Sequence, residues 1–97
     1  MQVLERAKTP NGIDIQIEDW SGELTIGAYP IAKASRTFQR AGERFRLTIA
    51  SNEYSGYTNE QVRADYEMLK TGEKTIEDLA EHFWDSDDDK RLLGMEV

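Results

Sequence analysis

His82 is the single histidine of the chain and the side chain best suited to move a proton near neutral pH. On a helix, Asp78 lies one turn before it and Asp85 three residues after it, so an imidazole between two carboxylates would act as a general base or a metal ligand. There is no cysteine and no second histidine. A thiolate nucleophile is therefore excluded, and a zinc site would have only one imidazole. The plainer reading is a surface histidine, because a catalytic one needs a nucleophile and an orienting partner that no motif here supplies.

A second constellation follows directly. Asp85, Asp87, Asp89 and Glu96 fall at positions 1, 3, 5 and 12 of a calcium-binding loop, with Leu92 at position 8. Hard oxygen ligands at those offsets wrap one calcium ion. However, position 6 is Lys90, where the sharp turn of such a loop requires glycine. A solvated acidic run accounts for the same residues, and no cofactor or metal is assigned.

Cations concentrate elsewhere. Between residues 33 and 46 lie Lys33, Arg36, Arg40, Arg44 and Arg46 against Glu43 alone. On a strand face, Lys33, Arg44 and Arg46 would follow a phosphate backbone, which makes nucleic-acid binding one alternative. That strand face carries no aromatic residue between its cations to stack on a base, and the acidic total opposes phosphate contact. Tyr54-Ser55-Gly56-Tyr57 forms an aromatic loop, and Glu77, Asp78, Glu81, Trp84 and Asp85 share the acidic stretch after it. Exposed tyrosine and tryptophan bring large contact area at low entropic cost, so this group is the candidate surface for a protein partner.

These residues need elements to position them. Ile13, Ile15 and Ile17 alternate with Asp14, Gln16 and Glu18, the period of a half-buried strand. Ser21-Gly22 supplies a turn, and Leu24, Ile26 and Ala28 repeat the alternation up to Pro30. Residues 31–39 are a weaker strand, and 44–50 are a strong one through Phe45, Leu47 and Ile49. A two-residue turn at Ala41-Gly42 would pair Phe38 with Phe45 and Ala34 with Ile49.

After Ser51 the rhythm changes to every third or fourth residue. Thr58 or Asn59 caps a helix carrying Val62, Tyr66 and Leu69 on one side, and Gly72 ends it. Thr75 opens a second helix with Asp78 as its capping partner and Ile76, Leu79, Ala80 and Phe83 as its stripe. The expectation is a single α+β domain over residues 1–97. A lead-in spans 1–12 and closes at the Pro10-Asn11-Gly12 turn. A four-stranded antiparallel meander spans 13–50. Two C-terminal helices spanning 58–84 pack on one face of the sheet, and 85–97 form an acidic and then apolar tail.

Charge is uneven along the chain. Residues 1–50 carry a net of +1 and residues 51–97 a net of −8, within a total of −7. With 38% hydrophobic and 32% charged residues the chain is expected to fold. No stretch approaches the roughly 18 apolar residues of a membrane helix, and the first ten residues hold no signal-type apolar run. The expected setting is the cytoplasm, with no membrane association. These observations lead to a non-catalytic module that binds a basic protein partner. Nucleic-acid binding and a small enzyme built around His82 are the alternatives.

Overall fold

The computed structural model describes residues 1–29 and 47–83. Four strands, β1 (Gln2–Lys8), β2 (Asp14–Trp20), β3 (Glu23–Tyr29) and β4 (Leu47–Ala50), form one sheet in the order β1-β2-β3-β4, each pair antiparallel. Helix α1 (Asn59–Thr71) and a 3-10 helix (Glu77–His82) follow. The class is α+β.

The alternation in β2 and β3 is decisive. Ile15 pairs with Ala28 and Ile17 with Ile26, while β4 sets Ile49 opposite Ile26 and Leu47 opposite Ala28. All six are buried on one face. Ser21 and Gly22 both take positive φ, 54° and 96°, the signature of a two-residue turn whose twist matches the strands it joins. The Asp19 carboxylate accepts from Gly22 N at 2.8 Å and fixes that turn.

Val62, Tyr66 and Leu69 of α1 cover the apolar face, joined by Ile76, Leu79, Ala80 and Phe83. The helix is delimited as its caps dictate. Thr58 Oγ1 accepts from Gln61 N, and Gln61 Oε1 accepts from Thr58 N. Gly72 closes the far end at φ 85°. Asn59 docks the helix start on the β2–β3 hairpin, accepting from Leu24 N at 3.0 Å and donating to Gly22 O at 2.7 Å. At the other end Lys70 donates to Glu5 of β1 at 2.9 Å.

The structure corrects several expectations. Residues 2–8 are a strand and not a lead-in. A bulge between Val3 and Glu5 flips the parity of β1, so Val3 stands opposite Glu18 and Glu5 opposite Ile17. The extra residue, Leu4, is 41% exposed. A strand whose parity changes midway carries no clean alternation to read.

Residues 75–83 do not form the second α-helix. Their backbone bonds run over three residues, with Leu79 N donating to Ile76 O at 3.1 Å and Phe83 N to Ala80 O at 3.3 Å. Ile76, Leu79 and Phe83 recur every three or four residues, a spacing that suits an α-helix and a 3-10 helix alike. Phe83 turns extended and bridges to Ile49 of β4. The Thr75–Asp78 capping pair does form, with Thr75 N donating to Asp78 Oδ2 at 2.8 Å.

The sheet partner expected beside β3 also differs. β4 itself lies there, and the candidate strand 31–39, with its Phe38–Phe45 pairing, lies outside the described residues. Finally, alternation places Glu18 and Thr25 on a wet face, yet both are buried. Glu18 accepts from Trp20 Nε1 at 2.9 Å and from the Gln16 side-chain amide.

Candidate functional site

Two short segments converge on one side of α1 around Asp65. The first is the tyrosine loop, Asn52 to Tyr57. Asn52 and Tyr57 exchange backbone bonds of 2.9 and 3.0 Å, closing the loop at its base. Asn52 Oδ1 accepts from Tyr54 N at 2.8 Å, Ser55 Oγ donates to Asn52 O at 3.2 Å, and Gly56 at φ 75° allows the return. Tyr54 stands at the tip, 94% exposed. The second segment is the 3-10 helix, which presents Glu77, Asp78 and Glu81 outward.

Between them lies a cleft of about 490 Å³, lined by Ser55, Tyr57, Asp65, Lys74, Glu81 and His82 among others. Its inner wall is a hydrogen-bonded cluster. Tyr57 is 3% exposed, and its hydroxyl donates to Asp65 Oδ2 at 2.8 Å. Lys74 Nζ donates to Asp65 Oδ1 at 2.8 Å. The Asp65 side chain is 8% exposed, so both oxygens of a buried carboxylate are satisfied, as burial of a charge demands. Burial, followed by the Asp65 hydrogen bond, pushes the Tyr57 phenol far above its ordinary range. The Asp65 hydrogen bond raises Lys74 against an opposing desolvation, with further contributions from the charges of Asp65, Asp78 and Glu81.

The His82 ring stacks on Tyr57, with centroids 3.7 Å apart and planes 1° from parallel. Its Nε2 lies 3.3 Å from Glu81 Oε1. A second concavity, about 290 Å³, shares Ser55, Glu81 and His82 and extends toward Ala50 and Asn52.

The aromatic group expected from sequence is thus divided. Tyr54 points to solvent, Tyr57 turns inward as a wall of the cleft, and Trp84 lies outside the described residues. Asp85, the remainder of the calcium-type run (Asp87, Asp89 and Glu96) and the basic trio (Lys33, Arg44 and Arg46) also lie outside them. Among the described residues no group of three or more His, Cys, Asp or Glu side chains is placed to hold a metal.

Sequence reasoning missed Asp65 and Lys74. The signal for Asp65 was present, because it falls between Val62 and Tyr66 on the stripe that α1 buries. A carboxylate there requires a partner. Lys74, nine residues on, carries no comparable mark.

His82 does sit in a concavity beside carboxylates, the arrangement a small enzyme needs. The nearby hydroxyl of Ser55 donates to Asn52 O. Asp65, which would orient a base, is committed to Tyr57 and Lys74. No family model, curated protein or solved structure matches the chain. Among the described residues no helix is long and apolar enough to cross a membrane.

Proposed function

We propose that this chain is a non-catalytic interaction module that docks a basic segment of a partner protein between the tyrosine loop and the 3-10 helix. The observation that carries this reading is the charge balance of the cleft. Asp65 and Glu81 line the cleft against one ammonium, Lys74, so carboxylates outnumber cations where the surface is concave. Asp78 nearby adds to the negative field at that ammonium. Walls of low polarisability focus such a field and steer a cationic partner toward it. Tyr54 adds an apolar contact on a loop already pinned by its own hydrogen bonds, which lowers the ordering cost of binding.

The test uses matched basic and acidic peptides, with association followed by stopped-flow fluorescence at low and high salt. Basic peptides associate faster, and added salt removes the advantage. The triple variant Glu77→Gln, Asp78→Asn and Glu81→Gln keeps the Thr75 cap acceptor and lowers the low-salt on-rate roughly tenfold. Equal rates for both peptide classes would end the proposal.

The concavity around His82 supports a second reading, a small enzyme using His82 as a base with Glu81 beside it. Turnover of an activated ester that is lost in His82→Ala would favour it over the binding module.

A further inference from the structure

Resting on the binding-module reading, we infer that the cleft is a subsite for one arginine side chain, whose guanidinium lies against the His82 ring and pairs with Glu81. Three features of the cleft select this occupant.

The first is which charge is left over. Lys74, 40% exposed, is paired at 2.8 Å with the buried Asp65, so this ion pair is close to neutral as a unit. The charge facing the opening is Glu81, whose side chain is 79% exposed. An anionic ligand would meet this carboxylate, and a cation meets its complement.

The second is shape. His82 is held flat against a buried tyrosine at 3.7 Å, with the two planes 1° apart, and it borders both concavities. A ring clamped in this way is a rigid planar platform. The guanidinium is planar, weakly hydrated and stacks on ring faces, whereas an ammonium is a compact and strongly hydrated point charge.

The third is the position of the carboxylate relative to the platform. Glu81 Oε1 sits 3.3 Å from the ring edge at Nε2. A guanidinium lying on the ring therefore has a carboxylate within reach of its N–H fork. The space of about 490 Å³ holds a side chain of that size with part of its backbone.

The experiment is an amide 1H-15N titration of the full chain with Nα-acetyl-arginine amide. Nα-acetyl-citrulline amide serves as the neutral isostere, and Nα-acetyl-lysine amide as the unstacked cation. Ligands this small reach dissociation constants on the order of a millimolar. Arginine amide should give saturable shifts centred on Gly56, Glu81 and His82. Citrulline should bind about tenfold more weakly, and lysine about threefold more weakly.

Glu81→Gln, at an exposed position that leaves the fold intact, should reduce arginine to the citrulline level. Arginine and citrulline shifting the same amides equally, or arginine shifts confined to other surfaces, would overturn the inference. Basic peptides binding without any arginine response in the cleft removes this subsite and leaves the module reading standing. An arginine response in the cleft without binding of basic peptides removes the module reading and keeps the subsite.

Discussion

Replacing Tyr57 with phenylalanine tests the cluster that forms the inner wall of the cleft. Phenylalanine keeps the ring, its stack on His82 and its packing, and deletes only the hydroxyl that donates to Asp65 at 2.8 Å. Asp65 retains Lys74 on its other oxygen but leaves Oδ2 unsatisfied at a side chain only 8% exposed. A hydrogen bond to a charged acceptor contributes about 1.5–3 kcal/mol, and stranding a buried acceptor places the loss in that range. The expected destabilisation is therefore about 2 kcal/mol. With a urea slope of about 1.5 kcal/mol per molar, the unfolding midpoint should fall by roughly 1 M at neutral pH.

Alkaline pH adds a second, independent readout. The folded Tyr57 phenol titrates above its unfolded value, first because it is buried and then because of Asp65. A raised phenol pKa means that the folded state holds its proton while the unfolded chain loses it. The corresponding stability is fully present below about pH 10 and is lost as pH rises beyond that. Tyr57→Phe removes this liability, so the gap between variant and parent should narrow from pH 9 to pH 11. Tyr66 behaves in the same direction, with burial as the main cause and Glu5 as the next, so some alkaline loss persists in the variant. A neutral-pH loss below about 0.5 kcal/mol, or a gap that stays constant across the alkaline range, would refute the claim that Tyr57 supports Asp65.

Two further outcomes concern the frame that holds the cleft. Gly72→Ala places a Cβ 3.0 Å from Pro10 Cγ at a residue with φ +85°; thermal unfolding should report a loss of about 1–2 kcal/mol, and an unchanged melting temperature would refute the strain. Thr58→Ala removes the acceptor for Gln61 N, which should cost about 1 kcal/mol by urea titration, whereas Thr58→Ser should recover most of it.

The surface and the core of this protein divide their work along the sheet. Ile15, Ile17, Ile26 and Ile49 build a rigid platform, and α1 is fastened to it at both ends by Asn59 and Lys70. The cleft residues sit where that helix, the tyrosine loop and the 3-10 helix meet. Mobility of one element relative to another would separate Tyr57 from Asp65. The capped and anchored ends of α1 are therefore part of the site's chemistry as well as of its stability.

The sequence alone determined the apolar faces of β2, β3 and β4, the span of α1 and the Thr75–Asp78 capping pair. Each depends on neighbours within a few residues, and local periodicity and capping chemistry encode those directly. The sequence left Thr58 and Asn59 as alternative caps of α1 and did not mark Gln61 as the reciprocal partner. The parity flip of β1 escaped it, because a bulge is visible only against the strand it pairs with. The 3-10 geometry after Thr75 escaped it as well, because residues recurring every three or four positions fit two helix types until packing against Ile49 chooses between them. Only the tertiary structure turned Tyr57 inward, paired Lys74 with Asp65 across nine residues and laid His82 on Tyr57 across twenty-five. Those contacts join three elements whose relative placement is set by burial of a shared core, and no spacing along the chain records it.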